Sequence, residues 1–200
     1  MDHLLRDPRI AFTLMIQDAI VVPLKRFDLA KSRLRQGGIT QVTEMVEELA
    51  IGVLQNCAPR HVVVLSESDE ISAFATFHGV EVRRSRVSGL NEAVQSAYEA
   101  LGERFERLIV VHGDLRNPKG LGQFQPGSGL TIVTDHHGTG TNVLVVSTGL
   151  GFQFAYGRNS VGRHQHEAER LGIPCAVITD SPWRFDIDVP DDLKKSPGNT

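Results

Sequence analysis

The chain has few of the features that mark secreted, membrane-bound or disulfide-stapled proteins. Its 200 residues include two cysteines, Cys57 and Cys175, and no metal-site spacing links them. We therefore expect reduced thiols, as in a cytoplasmic protein. No apolar run approaches the roughly 20 residues of a membrane span, and no basic segment or small-residue cleavage site indicates a signal peptide. These absences predict a cytoplasmic protein that does not contact a membrane.

An excess of charge of one sign is also missing. The chain has 21 basic and 24 acidic residues, a formal net charge of -3, and no strongly basic run. This balance argues against nucleic acid as a partner. The sequence also lacks a Walker A motif and a clean G-x-G-x-x-G fingerprint. Their absence argues against a P-loop ATPase and a dinucleotide-dependent oxidoreductase.

The hydrophobic pattern predicts an α/β protein. In the first half, apolar runs typical of strands alternate with segments of helical spacing, which favours a mixed, mostly parallel sheet with helices on both faces. The predicted strands cover 19–24, 61–66, 80–82, 108–112, 130–134, 142–147, 152–156, 174–179 and 184–189. The predicted helices cover 42–53, 68–78, 91–102 and 160–171. We expect a single domain over 1–200, with an N-terminal extension (1–17) and a frayed tail (196–200).

Three aspartates are candidate metal ligands. Asp114 follows a predicted strand, and ligands bind beyond the carboxyl ends of strands in open parallel sheets. Asp186 and Asp188 are two apart on another predicted strand, so their carboxylates would share one face and repel unless a cation lies near. Hard oxygen ligands suit Mg²⁺. The alternatives are a turn or cap aspartate at Asp114 and a solvated edge strand for the pair.

Basic residues follow the first predicted strand. Lys25, Lys31 and Arg33 lie in a polar loop at 25–40, where they could hold and neutralise a triphosphate. The alternative is a merely solvated loop.

Two glycine-rich turns are candidate anion sites. Residues 138–142 precede a strand and 157–160 precede a helix, with Ser160 as its expected cap. Glycine permits close approach of the backbone, and a helix N-terminus offers free N–H groups. The alternative for each is a simple turn.

Histidine pairs occur near both turns, at His136-His137 and at His164-x-His166. Zinc sites usually draw on ligands that are spaced further apart. His164 and His166 would not share a helix face. A transition-metal site is therefore not favoured.

Taken in order, these segments resemble the guanylyltransferases that activate 2-phospho-L-lactate, phosphoenolpyruvate or 3-phosphoglycerate in coenzyme F-420 biosynthesis (CofC/FbiD type). The matching motifs are VVPLK at 21–25, AKSRL at 30–34, GLN at 89–91, GDL at 113–115, GTGTN at 138–142, Gly157 with Ser160 and His164, and DIDVPDDL at 186–193. The resemblance implies a nucleotidyltransferase fold of the glycosyltransferase-A type. It also implies an enzyme that transfers GMP from GTP to the acceptor phosphate, with Mg²⁺ as cofactor and diphosphate as product.

The same resemblance implies roles for individual residues. The metal ligands are Asp114, Asp186 and Asp188. The catalytic residues are Lys25, Lys31, Arg33 and Asp114. The nucleotide-binding residues are Pro23, Leu24, Lys25, Ser66, Gly89, Leu90, Asn91 and Asp114. The acceptor-binding residues are Thr141, Asn142, Gly157 and Ser160.

Other functions stay open at this point. A molybdopterin or sugar-phosphate nucleotidyltransferase would share the fold, although 23–27 replaces the glycine-rich loop expected of a sugar-phosphate enzyme. A non-catalytic nucleotide-binding protein is a further alternative. The family usually has proline directly after the Asp-Leu pair, whereas Arg116 follows here, and 119–128 is glycine-rich where a helix is expected. We therefore expect a reshaped acceptor pocket, and the family is compatible with a homodimer.

Overall fold

The computed structural model describes residues 18–188 and 190–194. Within them, strands form one seven-stranded sheet in the order β3-β2-β1-β4-β6-β5-β7. The strands are β1 (Asp18–Pro23), β2 (His61–Ser66), β3 (Glu81–Arg84), β4 (Arg107–Val111), β5 (Leu130–Thr134), β6 (Thr141–Ser147) and β7 (Cys175–Ile178). The β6 strand runs antiparallel to β4 and β5, and the other neighbours are parallel. The predicted mixed, mostly parallel sheet is confirmed.

Helices cover both faces of this sheet, as predicted. They are α1 (Ser32–Gln36), α2 (Val42–Asn56), α3 (Asp69–Phe77), α4 (Leu90–Leu101) and α5 (Ser160–Leu171). Successive strand residues point to opposite faces. Ile20 and Val22 accordingly pack in one core with α2 and α3. Ala19 and Val21 pack in the other with α4 and α5.

The predicted strand at 152–156 does not form. Its backbone N–H groups bind side chains from neighbouring helices instead of a strand partner. Phe154 N donates to Gln95 Oε1 over 3.2 Å, and Tyr156 N donates to Asn91 Oδ1 over 2.6 Å. Local hydrogen bonding therefore satisfies this segment without a sheet neighbour, which the strand-like composition could not reveal.

Two helix starts differ from the predicted ones. The α4 helix begins at Leu90 with Gly89 as its N-cap, one residue before the predicted start, and Asn159, not Ser160, is the N-cap of α5. Asn91 and Ser160 lie inside their helices, which frees their side chains for tertiary contacts.

The segment at 25–40 is more ordered than the predicted polar loop. A 3-10 helix (Phe27–Leu29) precedes α1, and Phe27 and Leu34 are buried in the core. These two anchors position the residues between them, including Lys31, above the carboxyl end of β1.

The predicted N-terminal extension (1–17), Val189 and the tail (196–200) lie outside the described residues. No helix in the described part of the chain has both the length and the apolar character required to cross a membrane.

Gly122 lies where a Cβ atom has no space. In the 3-10 turn Leu121–Gln123, a Cβ on Gly122 would lie 1.9 Å from the carbonyl oxygen of Ala58 and 2.6 Å from that of Cys57. We expect Gly122→Ala to cost about 3 kcal/mol by overpacking, and to lower Tm by roughly 6–12 °C. Gly127→Ala is the matched control, because a Cβ there meets no atom within 4 Å. Equal Tm values for the two variants in thermal unfolding would contradict this packing.

Candidate active site

A cleft of about 510 Å³ opens at the carboxyl ends of β1, β2 and β4. The residues lining it include Pro23, Leu24, Lys25, Lys31, Arg33, Ser66, Gly89, Leu90, His112, Asp114 and Asp188. The structure thus brings together the residues that the resemblance assigns to the nucleotide, except Asn91. The Asn91 side chain instead forms two hydrogen bonds with the backbone of Tyr156: its Nδ2 donates to the Tyr156 carbonyl, and its Oδ1 accepts from the Tyr156 N–H.

Three carboxylates meet at one end of this cleft. Ligand oxygens of Asp114, Asp186 and Asp188 lie within 4.8 Å of one another. A single antiparallel β-bridge between Leu115 and Asp186 brings the segment after β4 next to the segment that contains Asp186 and Asp188. The donation from Arg116 N to the Phe185 carbonyl, over 2.8 Å, supports it. The cluster therefore arises from a contact between two segments that are distant in sequence, not from spacing within one segment.

The predicted strand at 184–189 is wrong in its described part. A 3-10 helix (Pro182–Arg184) enters the segment, and Asp186 contributes only a single bridge. The turn that follows is held by Asp192, whose Oδ2 accepts from Asp188 N over 3.0 Å. Asp186 and Asp188 nevertheless bring their carboxylates close to that of Asp114.

Lys31 neutralises part of the cluster. Its Nζ contacts Asp114 Oδ2 and lies 2.5 Å from Asp188 Oδ1. Burial lowers the pKa of Lys31, but the charges of Asp114 and Asp188 outweigh it and raise that pKa above its usual value. Lys31 has a left-handed backbone, with φ 54°. Such conformations are uncommon outside glycine and often occur at functional sites.

The pKa values of Asp114 and Asp186 are shifted in opposite directions. Burial acts to raise the pKa of Asp114, but Lys31 overcomes this effect and holds the pKa below its usual range. Burial raises the pKa of Asp186, and the negative charges of Asp114 and Asp188 raise it further. One ammonium therefore does not compensate three carboxylates. The donor set, three oxygen ligands with residual repulsion, fits a hard divalent cation such as Mg²⁺.

His136 lies beside the carboxylates, which sequence reasoning did not anticipate. Its Nδ1 is 3.8 Å from Asp186 Oδ1, and its Nε2 is 3.7 Å from Asp192 Oδ1. Arg184 fixes the backbone at His136 by donating to the carbonyls of Asp135 and His136 over 3.1 and 3.0 Å. The sequence signal was the His136-His137 pair, considered only for transition metals. The structure places His136 as a neighbour of two acids instead.

Two of the four residues assigned to the acceptor, Thr141 and Ser160, form a second, buried cluster with His164. Ser160 Oγ donates to Thr141 Oγ1 over 3.0 Å, and Thr141 Oγ1 lies 3.2 Å from His164 Nδ1. Gly157 has φ +108°, a conformation that favours glycine. Asn142 turns away from this cluster, since its Nδ2 donates to the Trp183 carbonyl over 3.1 Å.

Two aromatic rings connect the clusters. The Tyr156 ring packs 5.5 Å from the His112 ring, which lines the cleft, and 5.1 Å from the His164 ring. Within the described residues, the Tyr156 hydroxyl, His112 Nε2 and Asp114 Oδ1 are buried without a hydrogen-bond partner. Buried polar atoms in native structures usually have partners. These three atoms are therefore candidate contacts for a polar ligand.

The fold is one that known nucleotidyltransferases share. A nucleotidyl transferase from Methanothermobacter thermautotrophicus has the same fold, with a TM-score of 0.63 at 15% identity over 89% of this chain and 94% of that chain. The predicted fold class is thereby confirmed.

A more specific match comes from the sequence. The family model described as "Guanylyl transferase CofC like" matches residues 18–196, so the chain belongs to this family of nucleotidyltransferase enzymes. A phosphoenolpyruvate guanylyltransferase of Sphaerobacter thermophilus is 27% identical over 90% of this chain and 92% of its own length. A 3-phospho-D-glycerate guanylyltransferase of Colwellia psychrerythraea is also 27% identical, over 88% and 89%. The predicted family and enzyme class are confirmed.

Proposed function

We propose that the protein transfers GMP from GTP to the phosphate of a small three-carbon phospho-acid, releasing diphosphate. The acceptor class comprises 2-phospho-L-lactate, phosphoenolpyruvate and 3-phosphoglycerate, and the pathway is coenzyme F-420 biosynthesis. The observation that carries the proposal is the carboxylate cluster of Asp114, Asp186 and Asp188 at the end of the cleft. The names of the two relatives support the donor and the acceptor class.

The reaction is an in-line displacement at the α-phosphorus of GTP. An oxygen of the acceptor phosphate forms a bond to the α-phosphorus. The bond between the α-phosphorus and the oxygen that bridges it to the β-phosphate breaks, and the electron pair of that bond leaves with diphosphate. An acceptor phosphate is ionised near neutral pH, so no protein nucleophile is required. Catalysis then consists of positioning and charge stabilisation.

Basic side chains at the cleft neutralise the triphosphate in this proposal. Lys25 and Arg33 are exposed at its rim, and Lys31 lies at its acidic end. Each can donate to phosphate oxygens and stabilise charge on the leaving diphosphate. Asp114, Asp186 and Asp188 would hold Mg²⁺, which supplies charge neutralisation at the phosphates when bound.

An acceptor panel tests the proposal directly. Purified protein is incubated with Mg²⁺, GTP labelled at the α-phosphate, and each of the three phospho-acids in turn. We expect a diphosphate-linked product and equimolar diphosphate with at least one acceptor. Omission of the acceptor and replacement of GTP by CTP are the controls. Absence of product with all three phospho-acids would refute the proposal.

A further inference from the structure

A chain of hydrogen bonds runs through the buried cluster near the start of α5. Ala155 N donates to His164 Nε2 over 3.0 Å. The other ring nitrogen, Nδ1, lies 3.2 Å from Thr141 Oγ1, and Thr141 in turn lies 3.0 Å from Ser160 Oγ. His164 is fully buried, and Thr141 and Ser160 are almost so.

The Ala155 N–H fixes which group donates and which accepts in the two hydrogen bonds of the His164 ring. A backbone N–H can only donate, so His164 Nε2 must carry a lone pair. Burial lowers the pKa of His164 to about 4, with Arg163 adding to the effect. The ring is therefore neutral near pH 7 and has one N–H. That proton must lie on Nδ1, and Thr141 Oγ1 must accept it.

The hydroxyl pair is then left with one proton to donate outward. Thr141 and Ser160 carry one hydroxyl proton each, and one of the two is used between them. In the described part of the chain, neither hydroxyl makes a further hydrogen bond. Whichever way the pair is arranged, its second proton can donate to a ligand. Successive bonds of this kind polarise one another and strengthen the terminal donor.

The surroundings favour an anion at that point. Ser160 lies in the first turn of α5, a helix of 12 residues, whose N-terminus carries partial positive charge. Gly157 precedes the helix with φ +108°, which permits close backbone approach. The Tyr156 ring packs between the rings of His164 and His112, and His112 lines the cleft, so one ring separates the cluster from the cleft.

We propose that His164 is a positioning residue that orients the Thr141–Ser160 hydroxyl pair as a donor to the carboxylate of the acceptor. The site would thereby select phospho-acids over phospho-alcohols of the same skeleton. This inference rests on the proposed function, which supplies the acceptor class. His164 acts through Thr141 and does not itself touch the substrate.

The test compares His164→Leu with His164→Gln. Leucine breaks the chain, whereas the glutamine amide can still accept from Ala155 and donate to Thr141. We expect His164→Leu to raise the acceptor KM by roughly ten- to a hundredfold, the effect of weakening a hydrogen bond to a charged group. The KM for GTP should change by less than about twofold, and His164→Gln should restore most of the acceptor affinity. His166→Leu on the exposed side of the same helix is the matched control, since that side chain is 83% exposed.

A second measurement distinguishes selection of the acceptor carboxylate from a general effect of His164 on protein stability. We expect wild-type protein to bind 3-phosphoglycerate at least about tenfold better than glycerol 3-phosphate, as acceptors or as competitive inhibitors, and His164→Leu to lose this preference. If that variant does not fold, Thr141→Val interrupts the same chain at its next link and should show the same loss. An active wild type whose variants lose affinity equally for both ligands and for GTP would overturn the inference alone. A wild type inactive with every phospho-acid would overturn the proposed function, and this inference with it.

Discussion

Replacing Asp114 with asparagine is expected to reduce GMP transfer by on the order of a thousandfold, which corresponds to about 4 kcal/mol of transition-state stabilisation. Asp114 contacts Lys31, and its ligand oxygen lies within 4.8 Å of those of Asp186 and Asp188. Its other oxygen, Oδ1, is buried without a partner in the described residues. Asparagine preserves the shape but removes the charge that a divalent cation requires. Steady-state rates at saturating GTP and acceptor, over a range of Mg²⁺ concentrations, measure the effect.

The fold should survive this substitution, since Lys31 keeps its contact with Asp188 and repulsion among the acids decreases. We expect the Tm without metal to change by a few degrees at most. Asp69→Asn is the matched control, because Asp69 is exposed and pairs with Arg84 outside the cleft. Asp114→Asn activity above about a tenth of the wild-type rate would refute the assignment of Asp114 as a metal ligand.

Replacing Lys31 with methionine is expected to strengthen the binding of Mg²⁺ alone while lowering transfer by roughly a hundredfold. The Lys31 ammonium lies against Asp114 and Asp188, where it competes with a cation for the same oxygens. Methionine keeps the apolar stem but leaves three carboxylates uncompensated. The variant without metal should therefore be less stable than wild type at neutral pH, and Mg²⁺ should restore its stability.

Thermal unfolding across a MgCl₂ titration measures this competition, because a ligand that binds the folded state raises Tm according to its affinity. The Tm of Lys31→Met should rise at lower Mg²⁺ concentrations, and by more degrees, than that of wild type. Lys25→Met is the matched control: Lys25 lines the cleft but forms no ion pair with these acids in the described part of the chain. Equal Mg²⁺ responses in all three proteins, or wild-type activity in Lys31→Met, would show that Lys31 does not share the metal site.

The sequence predicted the sheet better than the connections around it. Apolar runs such as 19–24 and 108–112 identify buried strands because parallel strands covered on both faces need continuous hydrophobic residues. The segments 152–156 and 184–189 have strand-like composition but are held by side chains and by one bridge. Composition could not distinguish these cases, because it does not show which backbone groups find a strand partner.

The candidate site, like the fold, could be predicted only in part from the sequence. By itself, the sequence determined the α/β class, the position of Asp114 after a buried strand and, through ordered motifs, the family. These features depend on local periodicity and on residue order. Only the tertiary structure decided that Lys31 reaches Asp114, 83 positions away, that Asp186 pairs with Leu115, and that His164 lies 3.2 Å from the Thr141 hydroxyl. Such contacts join distant segments, and their geometry follows from how the helices and loops pack on the sheet, which no local pattern records.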